Sequence, residues 1–340
     1  MHSAIPHFGL WCCLMTCGLA QCLGCDTARP ATTPERTWHV AAANAPGGLF
    51  MSGTLLADGA PVLVGGQSDL GGAWIWQNGA LVDLQPPSGK LLSWASRTPD
   101  GALLVVGNGR RALWRDPAGH WTSEATPAGD ELWGCVAFST TDAWAVGDDP
   151  RPDTTAAPVL LHRDVQGWSG VALPSAVPAN LRLFKVDGHA PNDVVVVGDD
   201  GLALHWDGSQ WQQEASGTGV KLTTVRALAG GTYLAVGGLE TGVVVLRDEA
   251  GNWHKLRDAK TGLSGFDTFD RSIWTCGDAG WLEFDSLDGQ TSMEVSDSLT
   301  NDTLHFVLRL PNGDALAGGG NMGAWPGKMH GTLLEWAVPK

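Results

Sequence analysis

Short apolar runs that end in glycine recur along most of the chain. They read VLVGG, LVVGN, WAVGD, VVVGD, LAVGG, WTCGD and ALAGG, and their first glycines are Gly65, Gly107, Gly147, Gly198, Gly237, Gly277 and Gly318. The gaps between them are 42, 40, 51, 39, 40 and 41 residues. Runs that are apolar throughout are typical of strands buried on both faces. Seven such repeats of about 43 residues predict an all-β fold, a seven-bladed β-propeller of four-stranded antiparallel blades.

The fourth repeat contains four predicted strands, which we label a to d from the channel outwards. They are residues 181–188 (LRLFKVDG), 192–199 (NDVVVVGD), 202–208 (LALHWDG) and 210–216 (QWQQEAS). Asp, Asn and Gly separate these segments, as hairpin turns require. The polar character of 210–216 predicts an outer strand at the rim of the blade.

Tryptophans open strand d in several repeats, at Trp121, Trp168, Trp211 and Trp253. We expect these rings to pack between neighbouring blades. The last repeat stops at its strand c, whereas the segment beginning at Thr37 carries Trp38 in the strand-d position. We therefore predict that residues 37–42 form the outer strand of the last blade, so that residues 37–340 close into one ring.

The composition says more about the fold than about the function. The chain holds 46 glycines and 17 tryptophans, as expected for many short strands and tight turns, and only 17% charged residues. The net charge of −15 argues against nucleic acid as a partner, because such a surface repels phosphate backbones. Its acidic residues are scattered along the chain, which is typical of a charge that keeps a protein soluble.

The first 25 residues resemble an export signal. No Asp, Glu, Lys or Arg occurs before Gly24, and residues 8–20 are mostly apolar. The end of this segment resembles a bacterial lipobox, in which Cys25, or alternatively Cys22, would be acylated. We expect residues 1–25 to direct export, residues 26–36 to form a flexible tether, and a lipid to hold the protein at a membrane. Plain secretion is the alternative.

Two cysteines, Cys135 and Cys276, remain inside the propeller. They fall in the third and sixth repeats and in different strand types, so a disulfide between them is not expected. Each is interpreted as a small buried apolar residue. No metal site and no cofactor site is predicted from the sequence.

The segment NDVVVVGDDGLALHWDGSQW (192–211) resembles bacterial envelope propellers with neuraminidase-type repeats, similar to the photosystem II assembly factor family. Partial Asp-box matches occur at 116–121, 248–253 and 286–291. In that family the box orders a hairpin turn. The resemblance implies a partner-binding role and no particular binding residues.

Catalysis of the sialidase type is not predicted. It requires a tyrosine nucleophile, and the one tyrosine of the chain, Tyr233, stands where neighbouring repeats have Trp144 and Trp274. That pattern indicates a packing position. No phosphate-binding loop, zinc-protease motif or nucleophile elbow occurs.

Two connections between strands b and c exceed the length of a turn, residues 148–158 and residues 319–331. The first offers Arg151 and Asp153, and the second offers Trp325, Lys328 and His330. In a propeller the b–c and d–a loops share one face over the channel, so these five residues are the predicted contact residues for a partner.

The sequence therefore favours an exported, lipid-anchored, non-enzymatic propeller that binds a protein or a glycan at the bacterial envelope. A glycan-active enzyme, either a hydrolase or a lyase, is the first alternative. It predicts two carboxylates over the channel mouth, at least one of them with a raised pKa. A purely structural spacer is the second alternative.

Overall fold

The computed structural model describes residues 35–45, 47–150, 156–269, 272–286, 292–294, 299–322 and 328–338. Residues Arg36–Lys340 form one compact unit. Its strands are arranged in seven four-stranded antiparallel sheets, in which strands that follow one another in sequence pair side by side. The prediction of a seven-bladed propeller is confirmed.

Blades 1 to 4 consist of β2 (Leu49–Leu55), β3 (Pro61–Gly66), β4 (Gly71–Gln77) and β5 (Ala80–Asp83); β6 (Leu92–Arg97), β7 (Leu103–Gly107), β8 (Arg111–Arg115) and β9 (Trp121–Ala125); β10 (Glu131–Ser139), β11 (Asp142–Pro150), β12 (Ala156–Asp164) and β13 (Gly167–Gly170); and β14 (Leu183–Ala190), β15 (Asp193–Gly198), β16 (Leu202–Trp206) and β17 (Trp211–Ala215). Blades 5 to 7 consist of β18 (Leu222–Leu228), β19 (Thr232–Gly238), β20 (Gly242–Arg247) and β21 (Trp253–Ala259); β22 (Leu263–Phe269), β23 (Ser272–Gly277), β24 (Leu282–Ser286) and β25 (Ser292–Glu294); and β26 (Thr303–Arg309), β27 (Ala315–Gly320), β28 (Gly331–Ala337) and β1 (Thr37–Ala45). Short 3₁₀ turns occur at Asp199–Gly201, Ala229–Gly231 and Asp278–Gly280.

Strand β1 closes the ring. It pairs antiparallel with β28, with Trp38 opposite Trp336 and Thr37 opposite Ala337. The outer strand of the last blade thus comes from the start of the chain, as the position of Trp38 in the sequence predicts. The closure joins the two ends of the ring through backbone hydrogen bonds and leaves no blade incomplete.

The repeated glycine has one structural role in all seven blades. Each strand a carries a one-residue register shift opposite this glycine. The shift brings the carbonyl of a strand-a residue against the glycine, and a Cβ there would collide with it, as at Gly198 with the carbonyl of Arg182. In the seventh blade the equivalent residue is Gly319, which meets the Thr303 carbonyl. The choice of Gly318 from the sequence was therefore one residue too early.

The core consists of apolar layers between neighbouring blades. The middle of each strand b is buried, and Val194 to Val197 of β15 have no exposed surface. Trp211 packs edge-on against Trp144 of the preceding blade, with ring centroids 5.1 Å apart. The prediction that the strand-d tryptophans pack between blades holds at this interface, and the layers bury a large apolar area.

Aspartates order several of the c–d hairpin turns. The Asp248 carboxylate accepts the backbone amides of Ala250 and Asn252 at 3.0 and 2.8 Å. The side chain of His254, with the amide of Asn252, lowers the pKa of Asp248 to about 2. Asp116 accepts the His120 amide in the same way. Both turns lie in segments that match the Asp-box only in part.

The two cysteines of the propeller and its tyrosine are packed into the core. Cys135 and Cys276 are buried and unbonded, and burial raises the pKa of each thiol. Tyr233 has no exposed surface, and its hydroxyl donates a hydrogen bond of 2.8 Å to the Asp193 carbonyl. The interpretation of Tyr233 as a packing residue agrees with this placement.

Candidate functional site

Three of the five predicted contact residues, Arg151, Asp153 and Trp325, lie outside the described residues. The insertion that holds the first two differs from the expected loop. Strands β11 and β12 continue past the usual hairpin end, with Asp148 opposite Pro158. Residues 148–150 and 156–158 are thus strand, because the added chain extends the existing hydrogen-bond ladder.

The other two predicted residues have different environments. Lys328 is exposed. His330 is half-buried, and its Nε2 lies 3.1 Å from both carboxylate oxygens of Asp302. Thr332 donates a hydrogen bond of 2.6 Å to the same carboxylate. His330 therefore anchors the end of its loop, while Lys328 is accessible to a partner.

Met329, between these two residues, covers the channel. The side-chain amide of Gln67 in blade 1 binds both the carbonyl and the amide of Met329, at 2.6 and 2.9 Å. The Met329 side chain is 3% exposed and packs with Leu49, Met51 and Leu91. This pair of hydrogen bonds fixes the seventh-blade loop to the first blade over the channel mouth.

We call the face with the b–c and d–a loops the upper face. Of the nine large apolar side chains that are exposed among the described residues, four lie on it: Leu70 at 56%, Val220 at 40%, Leu239 at 67% and Met322 at 42%. Leu70, Val220 and Leu239 lie on short loops between strands, and Met322 follows the end of β27 by two residues. Exposed aliphatic groups that form a contiguous patch mark surfaces that contact other molecules, and single ones are ordinary surface residues.

The upper face also carries two carboxylic acids in a low-polarity environment. Glu131 and Asp148 oppose each other in the register of β10 and β11. Burial raises the pKa of both, and Asp148 raises the pKa of Glu131 further. The indole of Trp133 donates a hydrogen bond of 3.2 Å to Asp148, and Arg182 lies 3.6 Å from it.

A cavity of about 900 Å³ opens on the opposite, lower face, between blades 7 and 1. Residues 37–41 of β1 form one wall, and Ile75 and Trp76 of β4 form part of the other.

In each blade one residue of strand d pairs with the same repeat position of strand c, as Trp253 does with Arg247. We call this strand-d position the outer slot. In chain order from blade 1 the outer slot holds Leu81, Trp121, Trp168, Trp211, Trp253, Ser292 and Trp38.

The cavity opens beside Trp76, which pairs with the slot leucine of blade 1. Elsewhere the slot tryptophan reaches the outer strand of the preceding blade, as the Trp253 indole does at Glu214, 2.8 Å away. Leu81 is too short to reach β1 in this way. A leucine in place of the slot tryptophan leaves this interface without that indole.

A second cavity, of about 350 Å³, enters the channel from the lower face. Trp94, Arg97, Asp187 and Arg226 line it, and the Lys185 Nζ lies 4.4 Å from the centroid of the Trp94 ring. Sequence reasoning missed this group. Its signal is the segment LFKVDG, where charged residues interrupt the inner strand of the fourth blade.

Cys25 and Cys22 lie outside the described residues, so the predicted lipidation stays a prediction. Within the described ranges, no helix has the length and apolar character needed to cross a membrane. No set of three or more His, Cys, Asp or Glu residues there is arranged to hold a metal ion.

Comparison with known proteins supports the fold. No protein-family model matches the chain, and no curated protein matches it. Among solved structures, YCF48 from Cyanidioschyzon merolae matches with a TM-score of 0.63 at 13% identity, covering 88% of this chain and 98% of that one. The WD40 β-propeller domain of Doa1 matches with a TM-score of 0.62 at 10% identity, covering 88% and 96%. At these identities the likeness establishes the propeller fold alone.

Proposed function

We propose that this chain is an exported, lipid-anchored, non-enzymatic propeller that binds a protein partner at the bacterial envelope through its upper face. The observation that carries the proposal is the set of exposed aliphatic side chains there, Leu70, Val220, Leu239 and Met322. The strands on either side of each loop fix these groups in place before a partner arrives, which lowers the entropy lost on binding.

A protein partner fits these groups better than a glycan does. Aliphatic side chains gain free energy when apolar atoms displace water from them, and protein surfaces offer such atoms in quantity. Lys328 adds one exposed cation next to the buried Met329. A polar contact at the edge of an apolar centre is the usual composition of a protein–protein interface.

Export and lipid attachment rest on the sequence of residues 1–25 and on the resemblance to envelope propellers. The full chain would be expressed in a bacterial host that is fed an alkyne-labelled fatty acid. Label on the parent and its loss from Cys25→Ala would support attachment at Cys25, whereas loss only from Cys22→Ala would move it to Cys22. An unlabelled parent found in the medium would favour plain secretion.

Partner binding is tested by capture from solubilised envelopes, with the Leu239→Asp variant as the challenge. The control is Val165→Asp, since Val165 is 76% exposed on a c–d turn of the lower face. Proteins retained by the parent and by the control but lost with Leu239→Asp would support the proposal. Equal recovery by all three baits would contradict it, and captured glycan would favour the alternative.

A glycan-active enzyme is the second candidate function, because Glu131 and Asp148 place two carboxylic acids with raised pKa near the channel mouth. A carboxyl with a raised pKa is suited to act as the general acid of a hydrolase. The test is turnover of a panel of chromogenic glycosides. Activity that disappears in Glu131→Gln would establish this function in place of the first.

A further inference from the structure

The lower half of the channel is a cationic pocket inside an acidic protein. Its cavity of about 350 Å³ is bounded by the inner strands of blades 2 to 5 and by Thr54 of blade 1. Arg97 and Arg226 line it, and Lys185 adjoins it. The chain as a whole has a net charge of −15, so this concentration of cations contrasts with the rest of the molecule.

Lys185 and Arg226 converge on one aromatic ring from different blades. Gly134 lets the neighbouring inner strand approach, since a Cβ there would lie 2.9 Å from the Lys185 Cα. Lys185 donates a hydrogen bond of 2.7 Å to the Trp133 carbonyl, and its Nζ lies 4.4 Å from the Trp94 ring centroid. Arg226, from blade 5, places its Cζ 5.2 Å from the same ring. Cation–π contact holds both charges at the edge of the cavity.

The acid that lines this cavity does not neutralise these cations fully. Asp187 accepts the amides of Gly188 at 3.0 Å and Ala227 at 2.9 Å, one on each oxygen. Its carboxylate therefore serves to bridge two inner strands. Among the described polar atoms, the Arg226 Nε is buried and has no hydrogen-bond partner. A buried guanidinium N–H without an acceptor is costly, and an anion in the cavity would supply one.

We infer that the lower channel binds a small multivalent oxyanion, one that carries carboxylate or phosphate groups, through Arg226 and Lys185 with Arg97 at the entrance. The guanidinium of Arg226 presents donors in the planar arrangement that matches such oxygens, and Lys185 adds a point charge. The volume admits a molecule of the size of a di- or tricarboxylate and excludes a folded partner.

Binding of this anion is coupled to protonation. Burial lowers the pKa of Lys185 to about 7, and Arg226 lowers it as well, while the neighbouring Cys135 thiol is neutral because burial raises its pKa. The other titratable groups around it are Asp187, whose pKa burial raises, and His305 of blade 7, whose pKa burial and Lys185 lower to about 4. An anion favours the charged lysine, so binding takes up a proton and tightens as the pH falls from 8 to 6.

The test is isothermal titration calorimetry on the full chain with citrate, succinate, inorganic phosphate and sulfate as separate probes. We expect saturable binding that is at least several-fold tighter at pH 6 than at pH 8, with proton uptake read from buffers of different ionisation enthalpy. Comparing the four probes distinguishes a carboxylate site from a phosphate site.

Variants locate the site. Arg226→Gln should weaken binding about tenfold or more, and Lys185→Met should remove the pH dependence while circular dichroism stays that of the parent. The control Lys255→Gln removes an exposed cation on β21 and should bind as the parent does. Absence of heat with all four probes, or equal affinity in Arg226→Gln and the parent, would overturn the inference.

Discussion

The interface between blades 4 and 5 and the interface between blades 7 and 1 use the same positions of the repeat differently. At the first, Glu214 binds Arg247 through two hydrogen bonds of 2.8 and 2.7 Å and also accepts the Trp253 indole. At the second, Ala41 stands three residues after Trp38, as Glu214 stands three after Trp211. Trp76 and Leu81 take the positions of Arg247 and Trp253.

The slot residue, its strand-c partner and the third residue after the slot of the preceding blade all differ between the two interfaces, and one interface is sealed while the other is open. The 4–5 interface is closed by a charge pair whose arginine side chain is 9% exposed. The 7–1 interface keeps an apolar core around Phe50 and Phe306 but opens outward into the cavity of about 900 Å³. At the upper face the Gln67–Met329 hydrogen bonds join the same two blades.

Removing the closing strand is the most severe way to break this comparison. Deleting residues 38–42 takes the outer strand from blade 7, exposes the edge of β28 and unpairs Trp38 from Trp336. We expect loss of the cooperative unfolding transition of the whole ring, because each blade depends on both neighbours for its apolar layers. Thermal unfolding of a chain that begins at Glu35 is the control. If the deletion melted like this control, the closure would carry no stability.

Breaking the charge pair should have the next largest effect. Glu214→Ala leaves Arg247 nearly buried without the carboxylate that accepts its two hydrogen bonds, and it removes the acceptor of the Trp253 indole. We expect a loss of about 3 kcal/mol in the free energy of unfolding. Urea denaturation of Glu214→Ala, Arg247→Met and the double variant measures the coupling. If the double variant lost more free energy of unfolding than the two single variants together, this account would be contradicted.

The sequence predicted the fold because the features that repeat are steric requirements of every blade. The glycine after strand b must lack a Cβ, since the register shift in strand a places a carbonyl against it. Trp211 and Trp253 mark outer strands because both fill the same slot. The error at Gly318 arose because three glycines follow one another there, and only the pairing of Gly319 with Leu304 identifies the equivalent residue.

The candidate sites could be predicted only in part, because they depend on contacts between distant repeats. Loop length indicated the region of Lys328, but the hydrogen bonds between Gln67 and Met329 join residues 262 positions apart. Trp94 and Arg226 meet across the channel from blades 2 and 5. A sequence pattern that identifies each strand does not reveal which side chains point toward one another across the ring.

At the open interface the carboxylate that accepts an indole N–H, Glu335 of β28, should matter less. Glu335 accepts the Trp76 indole at 3.1 Å and lies 3.4 Å from the His39 Nε2, at the wall of a cavity that water can enter. Glu335→Gln keeps an acceptor for the indole, and we expect a loss of about 1 kcal/mol or less. Urea denaturation of Glu335→Gln and of Glu214→Gln under the same conditions compares the two interfaces directly. A larger loss at Glu335 than at Glu214 would reverse the ranking.

Filling the outer slot of blade 1 should convert the open interface toward the sealed one. Blade 4 already holds tryptophan at both the strand-c and the strand-d position, Trp206 and Trp211, with ring centroids 5.7 Å apart. Leu81→Trp would reproduce that pair beside Trp76, and the added ring would reach the wall formed by β1. We expect a gain of about 0.5 to 1 kcal/mol and a melting temperature roughly 2 °C higher.

The neighbouring substitution Val82→Trp is the matched control, because Val82 is 47% exposed and its side chain points to the other face of β5. It should leave the melting temperature unchanged. A lower melting temperature in Leu81→Trp would mean that the Trp76 ring already occupies the space and that the cavity has another cause. A rise in Leu81→Trp alone would establish that the identity of one slot residue, on an otherwise regular repeat, determines whether two blades enclose a cavity.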